Sequence, residues 1–459
     1  MTRDMTAGSP TKLLLAFTVP LLFGNIFQQL YSMVDTIIVG QFLGTGPLAA
    51  VGSTGSINFL IIGFCEGVCS GFAIPIAQRF GSKDFDDLRR FMGNIVWLAV
   101  AFAVALAVLT VVFCRPLLQL MQTPADIIDN AYDYIVIIFA GIPATFFYNI
   151  LASALRALGD SKTPVLFLVL SSVINVVLDL LLVVVIPMGV AGAAVATVIS
   201  QAISGLCCLL FVRKRFRLLC FTREDAKLER EHVKILLNMG LPMGLQFSIT
   251  AIGSVILQAS VNLLGSGAVA AVTAGSKLSN LCCCAFDALG VGMSTYGGQN
   301  IGARKKSRLT PGVRAGMMLG SIYAVVILVV LILFGQHLAT LFVDAGETEI
   351  IADAYQMLVT NAAFYIPLVG IYVFRLIIQG VGYSKVALFA GVAEMAARTV
   401  VGLVFVPLFG FTAACFASPI AWICADCFLI PAYFMVLKRL PNDPKPTKDP
   451  LPPPAADGV

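Results

Sequence analysis

The feature that most constrains this fold is a series of apolar runs, each long enough to cross a lipid bilayer. A membrane-spanning helix needs roughly 20 mainly apolar residues. We identify twelve such runs: 13–40, 51–78, 94–113, 131–153, 164–186, 190–212, 236–263, 269–298, 316–335, 355–378, 386–407 and 412–436. With 59% hydrophobic and only 12% charged residues, the chain lacks the polar surface of a soluble domain. Because backbone groups in lipid must be hydrogen-bonded within their own segment, the sequence predicts an all-α polytopic membrane protein with twelve transmembrane helices.

The basic residues predict how these helices are oriented. The loops after the second, sixth and eighth runs, both termini and the short loops on the same side hold 26 of the 30 Lys and Arg residues. Since Lys and Arg concentrate on the cytoplasmic side of membrane proteins, we expect a multi-pass protein of the plasma (inner) membrane with both termini in the cytoplasm. The net charge of +5 then reflects contact with anionic lipid headgroups, and no nucleic-acid partner is expected.

An internal repeat relates the two halves of the chain. Residues 44–81 align with 265–302 at an offset of 221, which pairs Gln78 with Gln299. Each half contains six predicted helices, so the halves have the same orientation and are related by an axis along the membrane normal. We therefore predict two pseudo-symmetric six-helix bundles around a central cleft. The predicted N-terminal lobe, basic cytoplasmic linker, C-terminal lobe and disordered cytoplasmic tail are 1–212, 213–235, 236–440 and 441–459.

Acidic residues within the apolar runs mark the candidate functional site. A charge at the centre of a spanning helix costs roughly 2.5–3.5 kcal/mol on insertion scales and usually faces a cavity or a partner. Asp35 and Asp179 lie at similar depth in the N-terminal lobe, and each has a polar residue four positions earlier on the same helix face, Tyr31 and Asn175. Thr197 in the sixth run reaches the same depth. These side chains predict an oxygen-rich pocket that binds either Na⁺ or a proton; the alternative is that they only hydrogen-bond neighbouring helices.

Other intramembrane residues are predicted to line the substrate cleft or to act in gating. Glu66 and Asp287 are equivalent under the repeat, which suggests a shared role in both halves. Glu394 and Arg398 are one turn apart and can pair within their helix, either as a structural or gating ion pair or in contact with substrate. The residues assigned to this group from the sequence are Gln28, Met33, Glu66, Asp287, Arg375, Glu394 and Arg398.

The sequence does not indicate an enzyme. Most of the twelve cysteines lie in apolar runs, where Cys behaves as a small hydrophobe. The two histidines, His232 and His337, fall near loops, and the chain contains neither a zinc-protease nor a phosphate-binding motif. No cofactor is expected apart from a coupling ion. A passive channel is also disfavoured, since it would not need two lobes with unequal charges.

Several motifs resemble the multidrug and toxic compound extrusion (MATE) transporters, in particular their DinF-like branch. The matching segments are the Pro20-to-Asp35 spacing, FGNIFQQLYSMVDTIIVG (23–40), AAVG (49–52), AQRFG (77–81) and ALRALGDSKTP (154–164), within a double six-helix layout. The resemblance implies a cation-coupled exporter whose coupling site lies in the N-terminal lobe. The residues that it assigns to Na⁺ or H⁺ coupling are Tyr31, Asp35, Asn175, Asp179 and Thr197, with Asn149 lining the cavity.

Two further points concern the first helix and the second lobe. Pro20 removes a helix hydrogen bond, so it is either a hinge, which the resemblance links to the state of Asp35, or a static kink. NorM-type members of the family carry acids in helices 7 and 10, whereas this chain has Thr250 and Arg375 there. A cation site in the C-terminal lobe is therefore not expected.

The sequence thus predicts a secondary active multidrug efflux antiporter that exports cationic, amphipathic organic compounds in exchange for Na⁺ or H⁺. We expect a monomer whose partners are small organic substrates and the lipid bilayer. The alternative is a lipid-linked precursor flippase of the same superfamily. Such relatives often have fourteen spans and a cationic cleft, whereas this chain has twelve apolar runs and intramembrane acids.

Overall fold

The computed structural model describes residues 2–121, 123–343 and 346–444, and within these ranges the chain forms helices and no β-strand. Ten helices are long and apolar enough to cross a membrane, and two bent pairs bring the number of spans to twelve. In chain order the spans are α1 Pro10–Leu43, α2 Gly55–Ser82, α3 Phe85–Val112, α4 Ile128–Ala140 with Ile142–Ala157, α5 Lys162–Val185, α6 Val190–Arg215, α7 Arg230–Asn262, α8 Ser266–Gly302, α9 Lys306–Ala339, α10 Thr348–Ala363 with Tyr365–Gly380, α11 Ser384–Phe409 and α12 Phe411–Arg439. The predicted disordered tail lies outside the described residues from position 445 onward.

Several helices extend beyond the apolar runs that predicted them. The second run was placed at 51–78, whereas α2 begins after a separate short helix, Thr45–Ser53, and continues to Ser82. It ends because Lys83 adopts a left-handed conformation, with φ of 60°. Hydropathy locates the lipid-embedded part of a helix, but the helix itself continues until its backbone is capped. α1 likewise runs without a break through Pro20.

The repeat found in the sequence is also present in the backbone. Residues with positive φ recur at equivalent places in the two halves: Gly44 and Gly265, Lys83 and Arg304, Gly159 and Gly382, and Gly189 and Gly410. α5 ends in a π-helical turn, Leu180–Val185, and α11 contains its counterpart, Val401–Phe405. The bends of α4 and α10, 47° and 54°, are also equivalent. Positive φ is uncommon for non-glycine residues such as Lys83 and Arg304, and π-helical turns are rare, so their recurrence at equivalent positions shows that the two halves share one fold.

The first halves of α1 and α7 cross into the opposite lobe. Leu14 and Phe17 of α1 are buried in a core built mainly by α8 to α12, whereas Ile38 and Val39 near the other end of α1 belong to the core of α2 to α6. Leu236 of α7 is buried in this second core. The lobes therefore exchange core contacts at the end where both helices begin, so parting them there requires these contacts to break or the helices to bend.

The two lobes meet at the end that carries the basic loops and both termini, which we call the basic end. There Gly81 of α2 lies against the backbone of Gln299, and Gly302 of α8 lies against the backbone of Gln78, too close in each case for a side chain. At the opposite end, a methyl group added at Gly55, at the start of α2, would meet no described atom within 4 Å outside its chain neighbours and its own helix backbone. Along α8, polar side chains remain exposed from this end inward: Thr273, Lys277, Asn280 and Asp287. The lobes thus enclose a central cleft that is closed at the basic end and open at the other.

Candidate functional site

Two acids from different helices face each other inside the N-terminal lobe. Asp35 lies in the second half of α1, and Asp179 is the last residue of α5 before its π-helical turn. Their carboxyl groups are within hydrogen-bonding reach of each other. Asp179 is fully buried, whereas Asp35 is partly exposed. The structure therefore brings together the two acids that the sequence placed at similar depth.

Asn175 and Thr197 complete one wall of this pocket. The side-chain amide of Asn175 donates to the hydroxyl of Thr197 over 3.4 Å, and that hydroxyl donates to the carbonyl of Ala193 over 3.1 Å. The donor groups of both side chains are thus used within the lobe. The side-chain oxygen of Asn175, Oδ1, is buried and accepts no hydrogen bond from the described residues.

Buried oxygen atoms without donors are concentrated at this point. Among the residues that the structure describes, both carboxyl oxygens of Asp179, Oδ1 of Asp35 and Oδ1 of Asn175 are buried and receive no hydrogen bond. No Lys, Arg or His of the described chain forms an ion pair with either acid. Two carboxylates within hydrogen-bonding reach repel each other when both are charged, so the arrangement favours a shared proton or a bound cation.

Two phenols lie beside the acids, one of which the sequence did not identify. Tyr31 on α1 is half-buried and Tyr134 in the first half of α4 is buried, and both lie within electrostatic range of Asp35 and Asp179. The four-residue spacing from Asp35 indicated Tyr31. No such spacing connects Tyr134 with the site, because it belongs to a different helix whose position depends on the bend within α4.

The side chain of Asn149, which the sequence assigned to the cavity, donates to the carbonyl of Thr145 in its own helix over 2.9 Å.

The residues assigned to the cleft lie on several helices of both lobes and differ in exposure. Gln28 is exposed and Met33 is half-buried, both on α1. Glu66 on α2 is half-buried and Asp287 on α8 is exposed, and the two lie within electrostatic range of each other across the lobes. Their equivalence under the repeat thus places one acid of each lobe near the pseudo-symmetry axis.

The C-terminal lobe contains a buried ion cluster in place of the oxygen-rich pocket. Glu394 on α11 lies between two guanidinium groups: Arg375 of α10 contacts one carboxylate oxygen, and Arg398 lies 4.0 Å from the other. The predicted pairing of Glu394 with Arg398 is therefore present, but the closer partner is Arg375, which the sequence could not indicate. Arg398 also donates to the hydroxyl of Ser254 on α7 over 3.3 Å.

The two lobes differ most at the counterpart of Asp179. The repeat offset is 223 at Gly159 and Gly382 but 221 at the two π-helical turns. Because Leu180 is equivalent to Val401, the preceding residue Asp179 is equivalent to Val400, and the two extra residues of the first half lie between Gly159 and Asp179. Val400 carries no acid, so the C-terminal lobe lacks a second pocket of the same kind.

These features define a class of protein: a multi-pass membrane protein of two six-helix lobes around a cleft, with two facing acids in the N-terminal lobe that have no basic partner among the described residues. Comparison with known proteins then identifies the family. The MatE family model matches residues 20–181 and 242–414. The chain is 32% identical over 349 residues to the Bacillus subtilis (strain 168) protein named "Probable multidrug resistance protein YoeA", covering 74% of this chain and 75% of that protein. It therefore belongs to the MATE family of membrane transporters, which are not enzymes.

Two further comparisons agree with this assignment. The "DNA damage-inducible protein F" of Escherichia coli (strain K12) is 28% identical over 351 residues, covering 76% of each chain. Among solved structures, the outward-facing conformation of a multidrug resistance MATE family transporter of the MOP superfamily superimposes with a TM-score of 0.89 at 23% identity, over 95% of this chain and 98% of that chain. The predicted fold and the family resemblance are thus confirmed.

Proposed function

We propose that this protein is a multidrug efflux antiporter of the plasma (inner) membrane. It exports cationic, amphipathic organic compounds and takes Na⁺ or H⁺ in exchange at Asp35 and Asp179. Both termini and the basic end face the cytoplasm, so the cleft described above is open to the outside. Membership of a transporter family and the names of the multidrug resistance relatives support the export of drugs.

The observation that carries the proposal is the set of buried oxygens without donors around the two acids. Such atoms are costly to bury in the low dielectric of a membrane protein unless a cation or proton satisfies them. Oxygen ligands suit a hard cation such as Na⁺, and two carboxyl groups in contact can also hold one proton between them. In either case, the charge of the pocket changes by one unit when the small cation binds.

Coupling follows if the small cation and the cationic substrate favour different states of the pocket. A ligand shifts a conformational equilibrium only by its differential affinity for the two states. When Asp35 and Asp179 carry their full negative charge, they attract an organic cation into the N-terminal side of the cleft. Binding of Na⁺ or H⁺ neutralises part of that charge, so the organic cation is released to the outside while the small cation is carried inward.

The test measures efflux from proteoliposomes in which each gradient is imposed separately. Vesicles containing the purified protein are loaded with a fluorescent organic cation and exposed either to a Na⁺ gradient at constant pH or to a pH gradient without Na⁺. We expect Asp35→Asn and Asp179→Asn each to lower gradient-driven efflux at least about tenfold, since each removes a charged ligand of the small cation. Asp129→Asn is the matched control, because Asp129 lies at an exposed surface pair with Arg115.

Three results would decide the matter. Efflux driven by only one of the gradients identifies the coupling ion. Undiminished gradient-driven efflux in both aspartate variants would refute the assignment of the site. If the fluorescent cation still equilibrates at the full rate after the gradients have been dissipated, the protein is a channel and the antiport proposal fails.

A further inference from the structure

The residues before α1 form a segment that lies across the closed basic end of the cleft. We call Arg3–Gly8 the N-terminal strap. Met5 is fully buried and Thr6 is 7% exposed, although both precede the first helix. A terminal segment is usually poorly ordered unless specific contacts hold it, so the contacts of the strap show which parts of the molecule it connects.

Most of the strap's polar contacts are with the C-terminal lobe. The backbone N–H of Met5 donates to Oε1 of Gln299 over 2.8 Å, and the side-chain amide of Asn300 donates to the carbonyl of Met5 over 3.1 Å. Lys305 donates to the carbonyl of Thr6 over 2.9 Å. The guanidinium of Arg308 donates to the carbonyl of Gly8 over 2.8 Å.

The beginning of the strap is bound to the N-terminal lobe. The backbone N–H of Arg3 donates to the carbonyl of Leu158, at the end of α4, over 3.0 Å. The next residue, Gly159, has φ of +80°, and a methyl group added to it would overlap the carbonyl oxygen of Arg3. The strap therefore connects the α4–α5 loop of one lobe with the end of α8 in the other.

Beneath the strap, two glutamines close the gap between the lobes in a pseudo-symmetric way. The side-chain amide of Gln78 donates to the carbonyl of Gly380 over 3.1 Å, and that of Gln299 donates to the carbonyl of Ala157 over 2.9 Å. Both bonds run from one lobe to the end of a bent span in the other. The glutamines differ in one respect, because Gln299 also accepts the hydrogen bond from Met5.

We propose that the N-terminal strap is a latch that holds the basic end closed during the transport cycle, with Gln299 as the residue that positions it. An alternating-access transporter must part its lobes at this end, and the strap cannot then keep both Leu158 and Gln299 as partners. It stays on the C-terminal lobe, where its buried Met5 and most of its hydrogen bonds lie. Opening therefore releases Arg3 from Leu158 and Gly159. The latch rests on the proposed transport cycle but adds to it a segment outside both the cleft and the cation pocket.

The internal repeat supplies matched controls for this latch. Gly159 and Gly382 are equivalent loop glycines with φ of +80° and +102°, so alanine strains the backbone at both positions. Only at position 159 does the new methyl group meet the strap; at Gly382 the nearest atoms, on Gln78 and Met239, are 3.4 Å away. Gln299→Ala and Gln78→Ala form a second matched pair. Each removes one hydrogen bond between the lobes, but only Gln299→Ala also removes the bond to Met5.

The experiment measures how often the basic end opens. Spin labels attached through unnatural amino acids at Lys162 and Lys385, exposed and equivalent positions of the two lobes, report the distance between the lobes in the full-length protein in lipid nanodiscs. We expect Gly159→Ala and deletion of residues 2–8 each to lower the ratio of closed to open molecules about fivefold or more, the effect of at least one lost hydrogen bond. Gly382→Ala should change the ratio less than half as much. Gln299→Ala should lower the ratio of closed to open molecules at least about twice as much as Gln78→Ala does.

Equal effects of the two glycine variants, or an unchanged distance distribution after the deletion, would overturn the latch. If Gly159→Ala does not fold, the deletion variant and the glutamine pair carry the test, because neither strains that loop. The distances are recorded without an ion gradient or substrate. If the strap proves not to act as a latch, the coupling role of Asp35 and Asp179 is still tested separately by the efflux assay. If the efflux assay refutes that coupling role, the distance measurements still test the latch.

Discussion

The close packing of α2 against α7 gives a prediction whose size follows from the geometry. Three glycines of α2, Gly63, Gly67 and Gly71, face α7, and the space beside them narrows towards the basic end. A methyl group at Gly63 would lie 3.5 Å from the side chain of Phe247, an ordinary contact. At Gly71 it would lie 2.6 Å from Cα of Gly240 and 2.7 Å from the carbonyl oxygen of Met239. Both of these atoms belong to the backbone, so they cannot turn away.

The expected cost of Gly71→Ala follows from that overlap. Carbon atoms prefer separations of about 3.5–4.0 Å, so the two helices must move apart by about 1 Å. Overpacking of this kind costs about 1–3 kcal/mol, partly offset by the helix propensity of Ala, about 1 kcal/mol better than Gly. We expect Gly71→Ala to lower the free energy of unfolding by up to about 2 kcal/mol and to shift the molecule towards opening at the basic end. Denaturant titration in mixed micelles measures the first effect, and the spin-label distances measure the second.

Gly63→Ala is the matched control within the same helix and interface. Its methyl group enters an ordinary contact with Phe247, so we expect it to be neutral or stabilising by up to about 1 kcal/mol. If Gly71→Ala were tolerated as well as Gly63→Ala, the close backbone approach of α2 and α7 would not exist in the membrane. The basic end would then not be closed by this contact.

Two other predictions concern an ion cluster and a loop. Glu394→Gln leaves the buried guanidinium of Arg375 without its carboxylate, so we expect the free energy of unfolding to fall by about 3–5 kcal/mol, with a smaller loss when Arg375 is also replaced by Met; denaturant titration of the single and double variants checks this. In the linker, the backbone N–H and hydroxyl of Thr222 hold the pKa of Asp225 below its ordinary 3.8. Their contribution to loop stability is therefore complete above about pH 4 and is lost as the pH falls through the lowered pKa. Thr222→Val should speed amide exchange in this loop at pH 7. The difference in exchange protection between this variant and the unmodified protein should shrink towards pH 3. A difference that does not depend on pH would contradict the role given to the Asp225 carboxylate.

The sequence could predict those relations in the candidate site that depend on the geometry of a single helix. Asp35 and Asp179 stood out because a charge in an apolar run is costly, and the four-residue spacing placed Tyr31 and Asn175 beside them. Counting residues from the helix ends then placed both acids at one depth. This was sufficient because the rise per residue of an α-helix is fixed. The partners on other helices, Tyr134 at the acid pocket and Arg375 beside Glu394, left no such signal.

What the sequence alone determined is therefore the part that depends on local physics. Hydropathy set the number of spans, and the repeat set the equivalence of the two halves. Only the tertiary structure decided that the first halves of α1 and α7 cross into the opposite lobes, that glycines allow α2 and α7 to touch along their backbones, and that the N-terminal strap lies across the closed end. These features depend on contacts between residues hundreds of positions apart, such as Met5 and Gln299. Many sequences would be compatible with such contacts, and no periodicity in either segment specifies its partner.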